Sequence, residues 1–155
     1  MDSTKALIKS LVKEYGNTRE SLIPILQGIV EKYNYLSDDI MREVASQLNI
    51  ASAEVYGTAS FYSFIPTTPV GENVIRICKS ITCDMKGKNQ IIKAIEDMLK
   101  IKVGETTLDR KFTLLETNCI GWCHKGPAML INEQPYTELN PTKAKEIIDS
   151  ILQKK

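Results

Sequence analysis

The first sixty residues alternate apolar and polar positions with a helical period. Ala6, Leu7, Leu11, Val12 and Tyr15 recur at helical spacing and stop at Gly16, a residue suited to a helix C-terminus. Leu22, Leu26, Ile29, Val30 and Tyr33 form a second stripe, with Pro24 tolerated in its first turn. Ser37 is placed to cap a third helix. Its Asp38 and Asp39 suit the positive helix end, and Ile40, Met41, Val44 and Leu48 trace its buried face. Ser52 would cap a fourth, with Val55, Ala59 and Tyr62 inward. The connections are short, which predicts an antiparallel helical bundle. Between Ile65 and Glu72, Pro66, Pro69 and Gly71 break all periodicity, so a boundary is placed there, dividing residues 1–66 from 67–155.

Beyond the break the pattern alternates between strand and helix. Val74–Cys78 is a short apolar strand, and Ile91, Ile92, Ile95, Met98 and Leu99 mark one helix face. Phe112–Thr117 and Ala128–Asn132 read as strands, with Pro135–Thr137 as a hairpin partner. Asn140 as cap and Pro141 at the first helical position open a last helix, with Ile147, Ile148, Ile151 and Leu152 inward. This order suits a small mixed sheet with helices packed on it, so the fold class is α+β. Both cysteine clusters follow strands, which would bring two loops to one end of the sheet.

Composition narrows the function without fixing it. The 155 residues are 43% hydrophobic with a net charge of +1, which gives no sign of disorder or of a nucleic-acid footprint. The second half is mildly basic, which ordinary solvated lysines explain. No apolar run approaches membrane-spanning length, and the segment MDSTKALIKS lacks the features of a signal peptide. A soluble, cytoplasmic chain with no direct membrane insertion is expected.

The chemistry is concentrated in four cysteines, Cys78, Cys83, Cys119 and Cys123. Two pairs of thiolates can hold one metal centre. A [2Fe–2S] rhomb takes two cysteines per iron and so accepts ligands from separate loops, whereas structural zinc prefers tight knuckles. Spacing alone leaves an iron–sulfur cluster, zinc and disulfides open, although a reducing compartment favours metal over disulfides. Gly121 and Gly126 would let backbone N–H groups approach a buried anion. No Gly-rich nucleotide fingerprint or P-loop is present, and no reactive C-x-x-C pair. His124 could be a Rieske-type ligand, but four cysteines already fill the ligand places, so a surface residue or a hydrogen-bond donor beside the ligands is expected. Trp122 is read as an apolar shield. For Tyr56, Phe61, Tyr62 and Phe64, core packing is the leading account.

Cys78-x4-Cys83 followed by Cys119-x3-Cys123 resembles the thioredoxin-like [2Fe–2S] ferredoxin subunit that accompanies the NADH-oxidising flavoprotein of respiratory complex I. The same subunit serves NAD(P)-linked multimeric [FeFe]-hydrogenases and formate dehydrogenases. The similarity extends to Leu22–Gln27, to the run YGTASFYSF from Tyr56 to Phe64, to Gly104–Thr107 with Lys111–Leu114, and to Cys123-x3-Pro127. Trp122 and His124 depart from the family pattern without removing a ligand. The resemblance implies a thioredoxin-like ferredoxin domain over 67–155, behind a helical domain over 1–66. It also implies one [2Fe–2S] cluster on Cys78, Cys83, Cys119 and Cys123, at a potential on the order of −400 mV. FMN and NAD(P) would belong to a partner flavoprotein, on which some of the Tyr56–Phe64 aromatics would dock. A further iron–sulfur or hydrogenase subunit would complete the assembly. No catalytic residue is expected on this chain. The reading leans to a soluble hydrogenase, electron-bifurcating or not, with complex I or formate dehydrogenase as the alternative and a structural zinc module as the rival of another class.

Overall fold

Helix α1 (Asp2–Tyr15) ends where the sequence says it should: Gly16 takes φ 95°, and its N–H donates to the Val12 carbonyl at 2.9 Å. The structure is a computed structural model and describes residues 2–153. The chain divides into two compact units, the first reaching Val70 and the second starting at Gly71.

The first unit is helical. After α1, a turn of 3-10 helix at Arg19–Ser21 leads into α2 (Leu22–Tyr33), α3 (Asp38–Leu48) and α4 (Ser52–Phe61). Ser37 caps α3 as expected, its hydroxyl accepting from the Ile40 N–H at 3.3 Å. The inward stripe of α1 differs from the expected one. Ile8 and Leu11 are buried while Ala6 and Tyr15 face solvent, because Leu7 and Val12 lie only at the edges of the stripe. Ser52 is the first helical residue of α4; Ala51 occupies the cap position without a side-chain hydrogen bond. Tyr62 turns outward because α4 stops at Phe61 and the backbone becomes extended there. Core packing fails for the aromatics as a group: Tyr56, Tyr62 and Phe64 are exposed and Phe61 is 80% exposed. Val55 and Ala59 alone supply the buried positions of α4.

The second unit is built on a four-stranded sheet of order β2-β1-β3-β4, comprising β1 (Asn73–Cys78), β2 (Phe112–Thr117), β3 (Met129–Ile131) and β4 (Gln134–Tyr136). β1 and β2 are parallel, which requires a crossover, and α5 (Ile81–Met85) with α6 (Lys88–Leu99) provides it. β3 returns antiparallel to β1 and forms a hairpin with β4. Asn132 at the hairpin turn takes φ 54° and accepts from the Val74 N–H through its side-chain oxygen at 2.9 Å. Ile75, Ile77, Phe112, Leu114, Met129 and Ile131 share one core with Ile91 and Ile95 of α6 and with Ala144 and Ile148 of α7 (Pro141–Gln153). Asn140 caps α7 through the Lys143 N–H at 2.8 Å. Among the described residues no helix is long and apolar enough to cross a membrane.

Candidate metal centre

Parallel pairing of β1 and β2 places their C-terminal ends together, with Cys78 opposite Thr117. Cys78 is the last residue of β1, and Cys119 follows Thr117 by two. Three backbone hydrogen bonds fix this edge. The Lys79 N–H donates to the Thr117 carbonyl at 2.8 Å, and the Cys78 N–H donates to the Ala128 carbonyl at 3.1 Å. At the loop exit, the Leu139 N–H donates to the Pro127 carbonyl at 3.1 Å. The second cysteine loop is therefore anchored at its start and at its finish.

Cys83 is delivered by α5, a five-residue helix that the hydrophobic pattern does not reveal. Cys78 and Cys83 are each only 1% exposed. Cys119 is exposed and Cys123 half-buried. Gly121 takes φ 86°, which suits glycine, and its N–H donates to the Cys119 sulfur at 3.4 Å. The Cys119 and Cys123 sulfurs lie 3.1 Å apart. Gly126 passes so close to Cys83 that a β-carbon there would stand 3.2 Å from its sulfur. Its N–H donates to the Cys123 carbonyl and not to a sulfur, so its part is close approach and not donation to the centre.

The thiols sense one another. Burial pushes the Cys78 thiol up, but hydrogen bonds from the Ser80 hydroxyl and N–H, with others from Cys83 and the Ile120 N–H, outweigh it and set it below the ordinary value. Cys83 is pushed up, chiefly by burial and further by its neighbour Cys78, against a hydrogen bond from the Ala128 N–H. Cys123 is raised first by Cys119, then by burial and by the charges of Cys119, Cys83 and Cys78. Four thiolates in this space repel one another, and a cationic centre is what would relieve the repulsion. Among the described residues no three His, Cys, Asp or Glu side chains converge to hold a single metal ion. Cys119 and Cys123 form one close pair and Cys78 and Cys83, hydrogen-bonded to each other, a second, the two-by-two donor set that a two-iron centre takes. The residues fit a [2Fe–2S] cluster.

Three participants escape sequence reasoning. The Ser80 hydroxyl lies 3.1 Å from the Cys78 sulfur, Lys86 donates to the Cys123 carbonyl at 3.3 Å, and Lys88 pairs with Glu116 at 3.0 Å. Only Ser80 carries a local signal, a hydroxyl two residues after a cysteine at the start of a helix. His124 is exposed and stacks on Trp122, ring centroids 5.8 Å apart.

The chain is similar to known proteins. Residues 8–152 match the family model of the thioredoxin-like [2Fe–2S] ferredoxin. The chain is 41% identical over 143 residues to an NADH-quinone oxidoreductase subunit of Buchnera aphidicola subsp. Acyrthosiphon pisum, covering 92% of this chain and 88% of that protein. The Escherichia coli K12 protein of the same name is 37% identical over 142 residues, covering 92% and 86%. Among solved structures, a chain of an air-oxidized NAD+-reducing [NiFe]-hydrogenase superposes with a TM-score of 0.75 at 23% identity. That match spans 84% of this chain and 22% of the hydrogenase chain, and shows a common fold. Paired thiols at the ends of parallel strands, a matching family model and relatives alike over nearly their whole length agree: the chain belongs to the thioredoxin-like [2Fe–2S] ferredoxin family.

Proposed function

We propose that this chain is a cytoplasmic electron-carrying subunit of an NAD(P)-linked oxidoreductase complex, holding one [2Fe–2S] cluster on Cys78, Cys83, Cys119 and Cys123. The carrying observation is the meeting of two thiol pairs at one edge of the sheet, with backbone and hydroxyl donors aimed at their sulfurs. When bound, the cluster supplies one-electron storage and transfer at low potential. The chain's own residues do the rest. Cys78 and Cys83 hold their side of the centre away from water, and Cys119 keeps the other side near the surface. Donation from Ser80 to Cys78 and from Gly121 to Cys119 spreads thiolate charge, which favours an added electron. Hydride chemistry, with its FMN and NAD(P), belongs in this reading to a partner flavoprotein, and a further iron–sulfur or hydrogenase subunit completes the path. Residues 67–155 form the ferredoxin domain and residues 1–66 the attachment.

The relatives' names favour a complex of the NADH-quinone oxidoreductase type over the hydrogenase first expected. A soluble hydrogenase is the second reading, favoured by the fold shared with the NAD+-reducing enzyme. Co-purification of the native complex separates the two. The cluster itself is tested by replacing each cysteine with serine, since a hydroxyl is a poor substitute for thiolate. Anaerobically purified protein should hold about two iron and two sulfide per chain and absorb visible light, and each Cys→Ser variant should lose that absorbance. Stoichiometric zinc in its place would overturn the reading in favour of a structural module.

A further inference from the structure

Lys88 stands where a lysine is least expected. It is the first residue of α6, at the positive end of the helix, in a first turn without an acidic residue and behind Gly87, which offers no side-chain cap. It is also only 8% exposed. Local helix preference therefore opposes the residue, and its compensation is tertiary. The ammonium lies 3.0 Å from a carboxylate oxygen of Glu116 and 3.7 Å from one of Asp84.

Those two carboxylates belong to the two arms of the metal centre. Asp84 directly follows Cys83 on α5. Glu116 is in β2, three residues before Cys119 and beside Thr117, where the second loop begins. The same segment reaches the far side of that loop, since the Lys86 ammonium donates to the Cys123 carbonyl. Asn89 steadies Asp84 with a hydrogen bond of 2.9 Å. From these contacts we infer that Lys88 is a positioning residue, a clamp with a buried stem that joins the segment after Cys83 to the stem of the Cys119–Cys123 loop and so fixes the spacing of the two thiol pairs.

The clamp acts through loop geometry. It needs no particular metal, whereas its value to a [2Fe–2S] cluster rests on the ligand assignment above. A lysine that merely filled space would be replaced without consequence by methionine, which keeps an unbranched apolar stem and drops the charge.

The test uses the full chain as wild type, Lys88→Met, Lys88→Arg, Glu116→Gln and the Lys88→Met/Glu116→Gln double variant. Amide hydrogen exchange is read in metal-free protein. In cluster-loaded protein the decay of visible absorbance under a chelator is followed. Lys88→Met should speed exchange across residues 118–126 by about two- to fivefold, and leave residues 91–95 of α6 unchanged, as expected of a local opening. Loss of the cluster should accelerate by about tenfold, the usual lower effect of removing a group that orients ligands. Lys88→Arg should restore both, and the double variant should be no worse than Lys88→Met alone. Unchanged exchange at 118–126 would overturn the inference. So would an effect spread evenly over the unit, or full additivity with Glu116→Gln. Wild-type protein without iron and sulfide would instead sink the ligand assignment, and the exchange result would still decide the clamp.

Discussion

Gly126→Ala separates a residue that matters to the fold from one that matters to the metal. The backbone at Gly126 is extended, φ −72° and ψ 162°, a conformation open to any residue. Alanine there carries no backbone strain, and its whole effect comes from the β-carbon. That atom would lie 3.2 Å from the Cys83 sulfur, 3.6 Å from the Cys123 carbonyl oxygen and 3.7 Å from the Lys86 Cδ. Only the sulfur contact is short of the ~3.5–4.0 Å at which non-bonded heavy atoms sit best. In metal-free protein a free thiol side chain can shift by the few tenths of an ångström required. A sulfur bonded to iron cannot.

The cost should therefore fall on the loaded state. Overpacking of this kind costs about 1–3 kcal/mol, which converts to roughly 5- to 150-fold weaker retention of the cluster. Gly121→Ala is the control. Its β-carbon would meet nothing within 4 Å, but φ is 86°, and the strain of about 1–2 kcal/mol applies with or without metal. Melting of both variants with and without the cluster, together with absorbance decay under a chelator, reads the difference. Gly126→Ala should melt like wild type when metal-free and lose its cluster faster, whereas Gly121→Ala should melt lower in both forms. Equal cluster retention by Gly126→Ala and wild type would refute the placement of the Cys83 sulfur against this backbone.

Other outcomes follow from the same structure. Phe112→Ala removes a buried ring from the sheet core and should destabilise the second unit by about 3–5 kcal/mol in denaturant titration. The Gln47 side chain, followed by Lys5 and Lys9, holds the Glu43 carboxyl below its ordinary value of 4.5 despite partial burial. This stabilisation is complete above the unfolded value and is lost as pH falls through the lowered folded one, so Gln47→Leu should flatten the acid side of a melting-versus-pH curve. A fragment of residues 67–155 should fold and carry the cluster but be captured poorly by a flavoprotein partner in a pull-down, equal capture showing that residues 1–66 are not the attachment.

The sequence disclosed elements in proportion to their length. Apolar stripes along helices of 11 and 12 residues announced α2, α3 and α6, and the run FTLLET marked β2 to the residue. Helix α5 has five residues and no room for a period, so Cys83 looked like a loop residue. In α4, apolar groups lie all round the helix, and the pattern had no means of saying which would be left outside. Tyr56 and Phe61 proved to be among those. The four candidate thiols were legible because paired cysteines stand out in the spacing of a chain that has no others. Their supports were not, because Lys86 meets Cys123 across 37 residues and Lys88 meets Glu116 across 28, distances bridged only once β1 and β2 pair in parallel.

That pairing also gives the centre an inside and an outside, which bears on the choice between carrying electrons and merely holding a shape. A structural zinc site has its four coordination positions filled by the protein and no electron to pass on, so exposure of one thiol pair serves nothing in it. Here one pair is buried and the other is held on a loop at the surface. The surface around the four thiols is mixed: Lys79, Asp84, Lys86, His124 and Lys125 are exposed there, and so are large apolar groups. Ile81 and Met85, on either side of Cys83 in α5, are 70% and 82% exposed, and Trp122 precedes Cys123 with its ring partly bare. Large apolar groups left in water beside a metal centre mark a surface that another protein covers. Covering it would exclude water from the exposed thiols and so shift the centre's potential through solvent exposure. In the function proposed above, such a chain would complete its redox environment in contact with a partner, which an electron carrier within a complex requires and a structural zinc site does not.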